Sequence, residues 1–180
     1  ALGNPFARGT AVAQGNGTVQ DHGLELATQP EPRNMDVLVW INGDLVPRAY
    51  AALSVFDSAV QGGDAVWEGL RVYNGRVFNM DAHLQRMQHS AKAMAFAAVP
   101  TTAEITDAIF RTLAANNMRD GVHMRVTLSR GLKTTSSMNP AFNVYGCTLA
   151  IVPEWKPVGG PATYDNTKGI RLITAANRRN

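Results

Sequence analysis

The sequence predicts an α/β chain: a small domain of antiparallel strands with two helices, then a linker and the start of a second domain. Three observations predict it. Asn42-Gly43 and Asn74-Gly75 each stand between apolar runs, the pattern of a tight β-hairpin. After the second pair, two stretches carry apolar residues at helical spacing. The stretch 122–129 then alternates apolar and polar residues with the period of a strand. Of 180 residues, 45% are hydrophobic and 17% charged, too apolar and too weakly charged for a disordered chain.

Residues 1–35 are poor in aromatics and rich in Gly, Ala, Thr and Gln, and Pro30-Glu31-Pro32 closes them. They read as an N-terminal extension before a domain over 36–152. Gly15-Asn16-Gly17 lacks a preceding strand and a following helix, so it reads as a turn and not a phosphate loop. Val37–Ile41 is the first strand, leading into the Asn42-Gly43 turn. Gln61–Asp64 reads as a flexible turn, and Leu70–Tyr73 and Val77-Phe78 flank the second hairpin.

The first helix has Asp81 as its expected cap, with Leu84, Met87, Ala91, Met94 and Ala98 on one stripe. Thr101 followed three residues later by Glu104 is a capping box, and Ile105, Ile109 and Leu113 form the stripe behind it. Asn116-Asn117 ends that helix. In 122–129, Val122, Met124, Val126 and Leu128 share one face, and His123, Arg125, Thr127 and Ser129 share the other. That polar face meets either solvent or a ligand. Tyr145–Val152 is a further strand. Residues 153–168, with three prolines and Gly159-Gly160, read as an interdomain linker, and Gly169–Ala175 as the first strand of a truncated second domain over 169–180. Such a strand needs partners, so the rest of a longer polypeptide or a second chain is expected to complete it.

Several chemistries find no support. The single cysteine, Cys147, lies in an apolar run and reads as a small buried hydrophobe, with no disulfide framework. His22, His83, His89 and His123 lack metal-ligand spacing, and no metal is expected. No Gly-x-Ser-x-Gly elbow is present. The net charge of +3 comes from scattered Lys and Arg, so no nucleic-acid partner is expected. No apolar run approaches the roughly 20 residues that cross a bilayer, and no secretory signal is visible, so the expected location is cytoplasmic.

One stretch is more specific. Val55-Phe56-Asp57-Ser58-Ala59-Val60-Gln61-Gly62-Gly63-Asp64-Ala65-Val66-Trp67-Glu68-Gly69-Leu70-Arg71-Val72-Tyr73-Asn74-Gly75 is followed by Met80-Asp81-Ala82-His83-Leu84-Gln85-Arg86-Met87 and Ser90-Ala91-Lys92. This order closely resembles the class IV, or fold-type IV, pyridoxal-phosphate aminotransferases. That group includes branched-chain and D-amino-acid aminotransferases and aminodeoxychorismate lyase. The resemblance runs from about Val39 to Asn180. It implies the α+β small domain of fold-type IV and pyridoxal 5'-phosphate as cofactor. The implied function is amino-group transfer between an amino acid, branched-chain-like or otherwise hydrophobic, and a 2-oxo acid, usually in a homodimer. The alternatives are an aminodeoxychorismate lyase, or a non-catalytic binding module on the same scaffold.

The resemblance also implies roles for residues. Arg86 would bind the cofactor phosphate, for which a guanidinium fork is well shaped; otherwise it is a surface arginine. His83, one turn earlier, either supports that site or packs. Trp67 would wall the substrate pocket; otherwise it is a core tryptophan. Glu68 and Arg71 read as an ordinary opposite-charge pair in the sheet. Gly62 stands where branched-chain enzymes commonly carry an aromatic, which widens the pocket. His123-Met124-Arg125 matches a Tyr-x-Arg segment whose aromatic and arginine face the active site, with histidine in place of tyrosine. Arg130, in Ser129-Arg130-Gly131, would bind a substrate carboxylate without settling stereochemistry. Met138-Asn139-Pro140 resembles a loop over the substrate. Lys92, Lys133, Lys156 and Lys168 do not match the family's cofactor-bearing lysine. No catalytic residue is therefore expected in this chain, which by itself should be inactive, and the lysine is expected on the remainder of the enzyme.

Overall fold

A computed structural model of the chain describes residues 30–157, 159 and 167–174. Both Asn-Gly pairs form hairpins. Asn42 (φ 49°) and Gly43 (φ 110°) turn β1 (Leu38–Ile41) into β2 (Asp44–Pro47). Positive φ at both turn centres matches the right-handed twist of the strands, which is why Asn-Gly suits the position. Asn74-Gly75 likewise joins β3 (Ala65–Tyr73) to the short β4 (Arg76–Val77). Between the hairpins, α1 (Ser58–Gly62) is one helical turn, capped by the Asp57 carboxylate and closed by Gly63 at φ 72°. The stretch expected as a flexible turn at Gln61–Asp64 is thus largely the end of this helix.

Helices α2 (Met80–Ala93) and α3 (Thr102–Ala115) follow. The capping box of α3 is formed as expected, and Ile105, Ile109 and Leu113 are buried. At α2 the expectation needs correction. Asn79 takes the cap position in a left-handed conformation, and Asp81 lies within the first turn, where its charge suits the helix N-terminus. The α2 stripe is buried at Leu84, Met87 and Ala91, whereas Ala98 lies beyond the helix at φ 52°.

β5 (Val122–Ser129) has the alternating burial that its sequence predicts. β6 spans Thr148–Trp155, shifted along the chain from the expected 145–152. Pro153 is accommodated because β1 pairs only with Ala150 and Ile151, so nothing calls for an N–H from residue 153 on that side. The expected linker therefore loses Pro153, Glu154 and Trp155 to the sheet. The expected strand at 169–175 is absent over its described residues, 169–174, where Ile170, Leu172 and Ile173 are exposed. No ladder partner meets them among the described residues. Of the extension expected over 1–35, residues 1–29 lie outside the described residues, as do 158, 160–166 and 175–180. The folded domain begins before Asp36. A 3-10 turn over Pro32–Asp36 carries Asn34, whose side-chain amide brackets the backbone of Trp155 at 3.0 and 2.7 Å.

The strands form one antiparallel sheet in the order β2-β1-β6-β5-β3-β4. Helices α2 and α3 cover one face, burying Leu70, Met124, Val126, Leu128 and Ile151 against Leu84, Met87, Ile105 and Ile109. On the other face, Trp67 and Arg125 are exposed. Among the described residues no helix is long and apolar enough to cross a membrane, and no group of His, Cys, Asp and Glu could hold a metal ion.

Candidate functional site

Strand β3 divides the candidate residues between its two faces. Val66, Glu68, Leu70 and Val72 point into the helix-covered core, and Trp67, Gly69, Arg71 and Tyr73 point to the open face. On that open face the β3–β5 register sets Gly69 opposite Arg125, Trp67 opposite Thr127 and Arg71 opposite His123. The Arg125 guanidinium reaches diagonally to lie 4.1 Å from the centre of the Trp67 ring. Trp67 is 56% exposed, so it is a wall of this face and not a core residue. Gly69 leaves the room: a Cβ there would stand 3.3 Å from His123 Nε2. The structure thus brings Trp67, His123 and Arg125 together as a cation, an imidazole and an indole surface, with the Thr127 hydroxyl alongside.

His123 is half-buried. Burial pushes its pKa below the ordinary 6.5, and the charges of Lys156, Arg71 and Arg125 push it the same way, against Glu154. The ring is therefore neutral at pH 7. Because the folded chain binds this proton more weakly than the unfolded chain, its contribution to stability is full above about pH 6.5 and is lost as pH falls below that value. His123→Gln is expected to flatten the stability profile as pH falls below about 6.5 in denaturant titrations. An unchanged slope would contradict this account of His123.

Arg86 lies on the helix side, in α2. Its Nε and Nη2 donate to Glu68 Oε1 and Oε2 at 2.7 and 2.5 Å. His83 Nδ1 lies 2.8 Å from the same Oε2. A carboxylate can only accept, so Nδ1 carries the proton and donates; its 3.2 Å approach to Arg86 Nη2 sets donor against donor and is no bond. Burial alone would raise the Glu68 carboxyl's pKa, but the hydrogen bonds and charges of Arg86 and His83 together hold it below 4.5. The Glu68 side chain is 6% exposed and that of Arg86 64%. One edge of the guanidinium is held while the rest faces solvent.

The sequence pairs Glu68 with Arg71, and the structure corrects this. The two side chains leave β3 on opposite faces, and Arg71 instead bonds Tyr73 Oη and the Lys156 carbonyl. The overlooked signal is the strand period. It places Glu68 between Val66 and Leu70 on the apolar face, where a carboxylate requires partners.

The two clusters meet at one strand edge. β4 pairs only with Val72 and Tyr73, so no strand covers the β3 edge from Ala65 to Leu70 among the described residues. Trp67 and Glu68 are neighbours on that uncovered stretch. Arg130 lies elsewhere: Nε bonds Asp64 Oδ2 at 2.9 Å, and Nη1 and Nη2 bond the carbonyls of Ala95 and Met94 at 3.1 and 2.9 Å, just past α2. Cys147 is half-buried, its thiol donating to the Ala97 carbonyl, and burial pushes its pKa up to about 11, which keeps it unreactive. It lines a separate cleft of about 870 Å³ with Trp40, Asp57, Glu104, Tyr145 and Thr148, and no candidate site residue reaches that cleft.

Known proteins resemble this chain in sequence and in fold. The chain is 56% identical over 151 residues to the branched-chain-amino-acid aminotransferase-like protein 2 of Arabidopsis thaliana, covering 84% of this chain and 26% of that protein. Its fold matches the branched-chain amino acid aminotransferase of Escherichia coli with a TM-score of 0.59 and 26% identity, over 66% of this chain and 40% of the other. It also matches the T.th. branched-chain amino acid aminotransferase complexed with N-(5'-phosphopyridoxyl)-L-glutamate, at TM-score 0.59 and 26% identity, over 68% of this chain and 41% of that one. The chain therefore spans between about a quarter and two fifths of the length of these relatives. The model of the amino-transferase class IV family matches residues 65–166, so the strands and helix that carry both clusters fall within it, and the chain belongs to the class IV aminotransferases.

Proposed function

We propose that the complete protein transfers an amino group between an amino acid, branched-chain-like or otherwise hydrophobic, and a 2-oxo acid, using pyridoxal 5'-phosphate. One observation carries this reading. An edge-held, outward-facing guanidinium and an arginine–tryptophan stack flank the same uncovered strand edge. The first suits a phosphate and the second a substrate carboxylate with an apolar side chain.

The residues present fit the cofactor. The part of Arg86 that Glu68 leaves free is a planar donor set open to solvent, as phosphate oxygens require. When bound, the cofactor withdraws electrons from the substrate's α-carbon. This chain's residues bind and orient. Arg86 anchors the phosphate. Arg125 meets the carboxylate, and its stacking on Trp67 fixes the guanidinium plane. Trp67 shields the substrate side chain from water. Neutral His123 adds a polar ring beside them without a second charge. Arg130 would reach a carboxylate only by giving up one of its bonds near α2, so Arg125 carries that role.

The lysine that bears the cofactor belongs, in this proposal, to the remainder of the enzyme. Lys133, a buried lysine of this chain, is turned to the Ser137 carbonyl at 2.6 Å. A homodimer is part of the same proposal, its contact placed on the exposed Val55, Phe56, Val60 and Met138 around α1. So is a cytoplasmic location, where a lone thiol stays reduced.

The test uses the complete protein with pyridoxal 5'-phosphate, a hydrophobic amino acid and mass-spectrometric detection of products. Turnover that requires a 2-oxo acid acceptor is expected. Turnover of aminodeoxychorismate with no acceptor would make the protein the lyase. Turnover of neither would make it a binding module.

A further inference from the structure

We propose, on the footing of the function above, that Glu68 is the positioning residue for cofactor binding: it fixes the Arg86 guanidinium so that its free side faces the phosphate. The observation is a buried carboxylate serving an exposed partner. The Glu68 side chain is 6% exposed, on the core face of β3 between Val66 and Leu70, and that of Arg86 is 64% exposed. Arg86 has water and needs no partner. The unfavourable step, taking a carboxylate out of water, falls entirely on Glu68. A Leu at that position would pack with its neighbours at no such cost, so stability alone gives no reason for glutamate there.

The bonding pattern supplies a reason. Glu68 takes Nε and Nη2, one whole edge of the fork, which sets the guanidinium plane relative to β3. His83, one turn before Arg86 on α2, donates to Oε2 and stops the carboxylate from rotating. A long, mobile side chain is thereby held in one orientation before any ligand arrives, and preorganised donors bind an anion better than mobile ones. Charge argues the opposite way. Glu68 cancels the charge of Arg86, so by electrostatics alone its removal should tighten phosphate binding. Positioning and charge thus predict opposite signs for one substitution.

The experiment compares Glu68→Gln and Glu68→Asp in the complete protein, with pyridoxal 5'-phosphate and pyridoxal titrated separately by absorbance. Glu68→Asp keeps the charge and withdraws it by one methylene. Each variant is expected to raise the Kd for pyridoxal 5'-phosphate about tenfold and to leave that for pyridoxal, which lacks the phosphate, unchanged. A purely structural role would move both ligands together. Unchanged or tighter phosphate binding, an equal loss for both ligands, or failure of both variants to fold would each overturn the proposal. Arg86→Ala runs beside them. If it weakens the phosphate form and the Glu68 variants do not, Glu68 has no positioning role but Arg86 still binds phosphate. If Arg86→Ala changes neither ligand, the phosphate assignment itself fails.

Discussion

Gly131→Ala is expected to destabilise the protein by about 3 kcal/mol or more, the largest stability effect of any single methyl group added at the described glycines. Gly131 has φ +104°, a region that side chains disfavour, and an added Cβ would stand 1.8 Å from the Gly146 carbonyl oxygen and 2.8 Å from its carbon. Those are backbone atoms, so no side chain can swing away. The Gly131 carbonyl also accepts from Ser58 N, Ser58 Oγ and Asn143 Nδ2 at 3.0, 2.9 and 2.8 Å. Moving the loop to make room would break bonds that tie α1 to the end of β5. Gly69→Ala is the control, since its nearest contact is the His123 ring at 3.3 Å, and a ring can shift by tenths of an ångström. Urea denaturation of the two variants measures the difference. A Gly131→Ala midpoint equal to that of the parent would contradict the packing described for this turn.

Arg125→Ala is expected to raise the KM for both the amino acid and the 2-oxo acid by about 10- to 100-fold, because both carry the carboxylate assigned to it. Stability should change little. The guanidinium is exposed, and a cation–π contact at an exposed site is worth only about 0.5–1 kcal/mol. If Arg125 served the sheet instead, the variant would melt earlier and keep its substrate kinetics. Melting temperature and KM on one preparation separate these outcomes. Adding Arg130→Ala to Arg125→Ala should lower the melting temperature further, because Arg130 holds Asp64 and the carbonyls of Met94 and Ala95 just past α2.

Local order was legible in the sequence wherever one short pattern decides it. Asn-Gly places both turns, Thr101 with Glu104 starts α3, and alternation puts His123 and Arg125 on one face of β5. The strand order was not legible, because β1 lies beside β6 and β3 beside β5, pairings between residues far apart in sequence. The end of β6 is not legible, because a proline reads as a break in the sequence and only the pairing limit of β1 explains why Pro153 is tolerated. The site was half legible. The motifs single out Arg86, Trp67, His123 and Arg125, but nothing local says that Arg86 lies across the strand from the other three. The resemblance gives Arg130 a substrate carboxylate, and nothing in the sequence shows its actual partners, Asp64 and the carbonyls after α2, which only folding brings to it. Glu68 is legible by its period, which sets a carboxylate between Val66 and Leu70 on the apolar face of β3.

The central claim is that one strand separates two tasks, with the cofactor phosphate held from the helix side and the substrate carboxylate from the open face. Cofactor titration of Arg86→Ala in the complete protein, set beside Arg125→Ala, tests it most directly. Absorbance titration should give Arg86→Ala a Kd for pyridoxal 5'-phosphate about 10- to 100-fold above the parent, with partial recovery in Arg86→Lys, whose amine carries the charge without the fork. Arg125→Ala should bind the cofactor as the parent does. Equal cofactor affinity in Arg86→Ala and the parent, or an equal loss in both alanine variants, would contradict the division of the site across β3.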